Sequence, residues 1–68
     1  MNIILNNRKE QILGKDRITI SELLEIKNFT FKMLVVRINN QPVKKENYDT
    51  AVINDGDNVM VLHLISGG

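Results

Sequence analysis

The sequence predicts an α+β domain in which one main helix packs across one face of a mixed sheet of four to five strands. Three observations lead there. Apolar segments fall in the order strand, strand, helix, strand, short element, strand. One segment alone follows helical spacing, and a capping box stands in front of it. The closing strand is largely apolar on both faces, so one face packs in the domain and something docks on the other. In that arrangement the first and last strands lie side by side as a parallel pair, a pairing that periodicity alone does not fix. A chain of 68 residues has room for one core. It buries only about 60% of its unfolded surface, so a cleft enclosing a substrate on all sides is not expected.

Ile3, Ile4 and Leu5, bounded by Asn6-Asn7, read as a short strand and a turn. Lys9 to Leu13 returns as the second arm of a hairpin, closed by Gly14-Lys15-Asp16. Thr19-Ile20-Ser21-Glu22 is the capping box: the Thr19 hydroxyl accepts from the amide three residues on, and Glu22 reaches back to the Thr19 amide. Ile20, Leu23, Leu24 and Lys27 then share one face, which sets the helix from Ile20 to about Asn28. Phe29 to Met33 links it to the clearest strand, Leu34 to Asn39, with Leu34, Val36 and Ile38 on one face and Val35, Arg37 and Asn39 on the other. Asn39-Asn40-Gln41-Pro42 turns the chain, and Pro42, lacking a ladder donor, argues against a central strand there. Lys44 to Thr50 is polar around Tyr48 and suits one short helical turn. Asp55-Gly56-Asp57 is a tight turn with Gly56 free to take positive φ. The last strand runs from Val59 to Ile65, and residues 1–65 form the domain ahead of a flexible tail of residues 66–68.

Composition narrows the function classes. There is no cysteine, hence no disulfide, thiolate metal site or catalytic thiol. Net charge is +1 with both signs interspersed, and only Phe29, Phe31 and Tyr48 are aromatic. That lacks the basic stripe of a nucleic-acid binder. No stretch approaches the roughly eighteen apolar residues of a membrane span, and no signal peptide opens the chain, so a cytoplasmic protein is expected. No catalytic constellation stands out. His63 has no cysteine or sequence-near carboxylate beside it and reads as a partly buried strand histidine. Asp55 and Asp57 are too short a run for a calcium loop. Lys44-Lys45 reads as a solvated loop or as the rim of a partner site. No metal or bound cofactor is expected.

The end of the chain remains. Gly67-Gly68 after an apolar strand is either a frayed end or a functional one. Two residues without Cβ let extended backbone enter a narrow channel, and three residues beyond Ile65 reach roughly 10 Å. A carboxylate on such a tether can be activated as an acyl-adenylate. If the helix covers the Val59 and Val61 side of the last strand, Met60, Leu62 and Leu64 face outward beside Arg37 as an adaptable apolar patch with a basic rim. The competing reading puts Met60 and Leu62 in a second small core under the Lys44 to Thr50 loop.

The stretch INNQPVKKENYDTAVINDGDNVMVLHLISGG resembles the C-terminal half of the ThiS sulfur carriers of thiamin biosynthesis. Ile38-Asn39, Val43-Lys44-Lys45, Tyr48, Asp55-Gly56-Asp57, Val59 to Ile65 and Gly67-Gly68 fill the slots of that pattern, with Tyr48 where tryptophan is common. The N-terminal half is similar more loosely, through MNIILNN and ISELLE. The resemblance implies a ubiquitin-like β-grasp fold and a carrier that is a cosubstrate of other enzymes and not itself an enzyme. A ThiF-like enzyme would use ATP to adenylate the terminal carboxylate. Sulfur from a desulfurase system would then make it a thiocarboxylate, for a ThiG-like thiazole synthase to consume. Gly68 would be the modified residue, with Gly67 and Ser66 giving access to it. The rivals are a MoaD-like small subunit of molybdopterin synthase, a ubiquitin-like modifier and a binding module with an incidental glycine tail. MoaD proteins usually carry Pro-Pro where this chain has Leu64-Ile65.

Overall fold

The computed structural model describes residues 1–30 and 33–64. The expectations for Phe31 and for Ile65, Ser66, Gly67 and Gly68, including the domain end at 65 and the tail, lie outside the described residues. The elements are β1 (Asn2–Leu5), β2 (Arg8–Gln11), β3 (Arg17–Thr19), α1 (Ile20–Ile26), β4 (Leu34–Ile38), β5 (Gln41–Val43), a 3₁₀ turn (Lys45–Asn47), β6 (Val52–Asn54) and β7 (Asn58–His63). The main sheet has five strands in the order β2-β1-β7-β4-β5, and β3 pairs with β6 in a separate two-stranded ribbon. β1 and β7 are parallel neighbours at its centre, with Leu5 opposite Val59; the other pairs in this sheet are antiparallel. One helix on a mixed five-stranded sheet is the β-grasp arrangement.

Asparagine builds both hairpins of the main sheet. Asn6 and Asn7 take φ of 52° and 67°, and Asn39 and Asn40 take 49° and 69°. Two successive left-handed residues make the hairpin turn whose twist matches the strands, and asparagine tolerates that region best among residues with a side chain. Asn6 does more. Beyond the point where the β1 backbone turns away, its side-chain amide accepts from Val61 N–H (2.8 Å) and donates to Val61 C=O (3.0 Å). A side chain thus continues the parallel ladder.

The capping box forms as expected: Glu22 N–H donates to Thr19 Oγ1 (3.1 Å), and Thr19 N–H donates to Glu22 Oε1 (2.9 Å). These bonds, the backbone one foremost, hold the Glu22 carboxyl below its usual pKa. The helix stops at Ile26, two residues before the expected Asn28. Asn28 adopts φ of 56°, and Phe29 N–H returns to Leu24 C=O (2.8 Å), which closes the helix end with a left-handed cap. Lys27, on the helix's inward stripe, pairs with Glu10 of β2.

The core is Ile3, Leu5, Ile12, Ile18, Ile20, Leu23, Val36, Ile53, Val59 and Val61, all buried. Two boundaries differ from expectation. β2 ends at Gln11, because Ile12 turns into the core while Leu13 stays 78% exposed. β7 starts at Asn58 and ends at His63, short of Leu64. The β3–β6 ribbon was unforeseen. Its strands are three residues each, and Ile18 and Ile53 are its only core side chains, too little for a period of two to register.

Asp55-Gly56-Asp57 ties strand ends together. Gly56 takes φ of 89° and donates its N–H to Asn2 C=O (2.7 Å), while Asp55 Oδ1 accepts from Asn2 N–H (2.6 Å). Asp57 accepts from Asn54 N–H (2.8 Å) and from the Asn39 side chain (3.0 Å). One turn therefore holds β1, β6 and the β4–β5 hairpin, which gives both aspartates structural work.

Candidate functional site: the open sheet face

The helix covers one face of the main sheet and leaves the other open. Cross-strand register decides what lies there. Arg37 stands opposite Met60, and Val35 opposite Leu62, across the β4–β7 pair. Residues directly opposite share a face. Val59 and Val61, the alternate positions of β7, are buried beneath α1, so Met60 and Leu62 look away from the core. Met60 is half-buried, Leu62 is 47% exposed and Arg37 is exposed. The expected patch of Arg37, Met60 and Leu62 is assembled in space.

Leu64 sits differently. It follows β7, donates its N–H to Met33 C=O (3.0 Å) and lines a groove at the β5 side of the sheet. Val35 and Pro42 belong both to that groove and to the open face, so the two surfaces are continuous. The Lys44 to Thr50 loop packs on the other side: Tyr48 C=O accepts from Ser21 N–H (2.9 Å) at the helix start, and Tyr48 rests on the core. It does not lie over Met60 and Leu62, which removes the reading of a second small core there. Burial raises the Tyr48 pKa.

Four further residues of the open face were not singled out from sequence. Val35 follows from strand alternation, since it shares Arg37's face. Pro42 stands opposite Arg37 across the hairpin. Ile4 reaches the face through its parallel pairing with Asn58, and Lys9 pairs with Ile4 on the far side. Alternation carries Val35 and the hairpin pairing carries Pro42, whereas Ile4 requires the β1–β7 register. The face thus has an apolar middle with Lys9 and Arg37 on its flanks.

Other candidates carry no site. His63 is exposed, not partly buried as expected, because β7 is ending and α1 does not extend over it. Among the described residues no three His, Cys, Asp or Glu side chains converge to hold a metal ion. Among them, too, no helix is long and apolar enough to cross a membrane.

A family profile, that of the ThiS family, matches residues 3–68. The chain belongs to the ThiS family. A crystal structure of the thiamine biosynthesis protein ThiS from Geobacter metallireducens is similar to it at 26% identity, with a TM-score of 0.90 and all of both chains covered. An NMR structure of a thiamine biosynthesis protein from the same organism, also 26% identical, gives a TM-score of 0.81 over 100% of this chain and 88% of that one. No curated protein sequence matches. In this ThiS-family chain, the Ile38-Asn39 and Asp55-Gly56-Asp57 segments that carried the sequence resemblance meet in space through the Asn39–Asp57 hydrogen bond. Val59 lies opposite Ile38 in the adjoining ladder.

Proposed function

We propose that the protein is a sulfur carrier of thiamin biosynthesis, acting through the backbone carboxylate of Gly68. The observation that carries this reading is the family match through residue 68, supported by a likeness to ThiS that spans all of both chains. In the proposed cycle a ThiF-like enzyme brings ATP. A Gly68 carboxylate oxygen attacks the α-phosphorus, and pyrophosphate leaves. A desulfurase system then supplies sulfur as a persulfide, whose outer sulfur attacks the acyl carbon as AMP departs; a thiol reductant cleaves the resulting acyl disulfide and leaves a thiocarboxylate. A ThiG-like thiazole synthase consumes that sulfur. The chain supplies no catalytic group: Gly67 and Ser66 keep the approach narrow, and the sulfur rides on an acyl carbon, which suits a protein without cysteine.

Arg37, Met60, Leu62 and Leu64, joined by Ile4 and Val35, form the handle that the successive enzymes hold. Met60 supplies an unbranched, adaptable side chain at its centre, useful to a surface that meets more than one partner. The reading is tested by intact-mass spectrometry of the protein isolated from its host and after incubation with ThiF, ATP and a sulfur source. One oxygen-to-sulfur exchange localised to Gly68 is expected, and its loss on deleting Gly68. Conjugates to other proteins' lysines would instead identify a modifier, and an unmodified Gly68 under both conditions would overturn the proposal.

A further inference from the structure

The groove beside β5 is built for something that the open sheet face does not provide. β5 pairs with Val36, Arg37 and Ile38 only, and the chain then leaves at Lys44 for the 3₁₀ turn. The β4 edge at Leu34 and Val35 therefore has no strand beside it on that side among the described residues. In line with this gap lies a groove of about 640 Å³. Leu24 and Phe29 from the helix end, Leu34 from β4 and Tyr48 form its apolar wall, and all four are only partly buried. Lys44 and Lys45 stand at its rim, and among the described residues no carboxylate lines it. Neither lysine takes part in an ion pair among the described residues.

The geometry points to a second docking surface for a short, extended, acidic segment of a partner protein. Its backbone adds beside Leu34 where β5 has departed, one branched apolar side chain enters between Phe29 and Tyr48, and its flanking carboxylates meet Lys44 and Lys45. Strand addition supplies backbone hydrogen bonds, while the groove and the lysines choose the side chains. Elsewhere the edges of this sheet reject such a guest. β2 is Arg8-Lys9-Glu10-Gln11, and β5 is three residues long with Pro42 at its middle. Charge, shortness and proline are the usual means of blunting an edge. The gap beside Leu34 is where those protections lapse. This surface does not depend on the sulfur-carrier reading, since a β-grasp domain of any role could present it.

The test uses the full chain labelled with nitrogen-15, titrated with capped heptapeptides in which Val-Leu-Val sits between pairs of glutamates, or between pairs of lysines, and with a Gly-Ser-Gly peptide between glutamates. Saturable shifts of the Leu34, Val43, Lys44 and Lys45 amides are expected with the first peptide alone. The double variant Lys44→Glu/Lys45→Glu should weaken binding about tenfold or more, the sum of two lost attractions and the new repulsions. Both side chains are exposed, so unchanged amide positions elsewhere certify its fold. No saturable shift at millimolar peptide, equal binding of the lysine-flanked peptide, or shifts confined to Met60 and Leu62 would each overturn the proposal. None of these outcomes bears on the chemistry at Gly68.

Discussion

Replacing Asn6 separates two roles that the structure gives one residue. Its side chain satisfies both the N–H and the C=O of Val61, a residue only 6% exposed. Leaving a buried backbone group without a partner costs about 1–3 kcal/mol. The two bonds are only part-buried, so the lower figure applies, about 2 kcal/mol for the pair. The backbone at Asn6 is also left-handed, with φ of 52°. Alanine there adds about 1 kcal/mol of strain that glycine avoids. Asn6→Gly should therefore lose about 2 kcal/mol and Asn6→Ala about 3 kcal/mol. With a urea m-value of about 1 kcal/mol/M for a chain this small, midpoints fall by roughly 2 M and 3 M. Hydrogen exchange at the Val61 amide should accelerate in both variants. An Asn6→Gly midpoint within about 0.5 M of the parent would show that the side-chain bonds carry nothing. Equal midpoints for the two variants would refute the strain argument.

Leu62→Asp should leave the fold nearly intact, since about half of that side chain already meets water. It should slow ThiF-dependent adenylate formation by about 30-fold or more, as expected for an anchor worth at least about 2 kcal/mol at an interface; a normal rate of pyrophosphate release would remove the docking role of this face. Ile53, fully buried, should lose about 2–5 kcal/mol on substitution by alanine. Against the roughly 3–10 kcal/mol available to a chain this size, that variant should be partly unfolded at 25 °C by circular dichroism. Asn28→Ala should lower stability by about 1 kcal/mol, while Asn28→Gly should not, because the helix cap needs a left-handed backbone; equal thermal midpoints would contradict that. Glu22 has a depressed carboxyl pKa in the folded state. Its contribution is therefore complete above the ordinary glutamate range and lost as pH falls through the lower folded value. Glu22→Gln should flatten the acid-side decline of stability, read from urea midpoints between neutral and acid pH.

Elements that announce themselves locally were legible in the sequence. The Thr19–Glu22 box, the Asp55-Gly56-Asp57 turn and the alternation of β4 and of Val59 to Leu62 each depend on neighbours a few residues away, and each formed as expected. The patch of Arg37, Met60 and Leu62 was legible for the same reason, once the helix was assigned to the Val59 side. Ile4 was hidden because its place on that face depends on a parallel register spanning more than fifty positions. The β3–β6 ribbon was hidden because each strand is three residues long and sends one side chain, Ile18 or Ile53, into the core, so tertiary packing and not propensity holds it. His63 was misjudged because alternation gives a direction but not where the covering helix stops.

The parallel pairing of β1 with β7 has a mechanical consequence. A pull applied at the beginning of β1 and the end of β7 acts along the two strands in opposite senses. The load falls on their shared hydrogen bonds, including the two made by Asn6, all at once and sideways, so no single bond can open ahead of the rest. An enzyme can thus draw hard on the far end of β7 while the body of the protein keeps its shape.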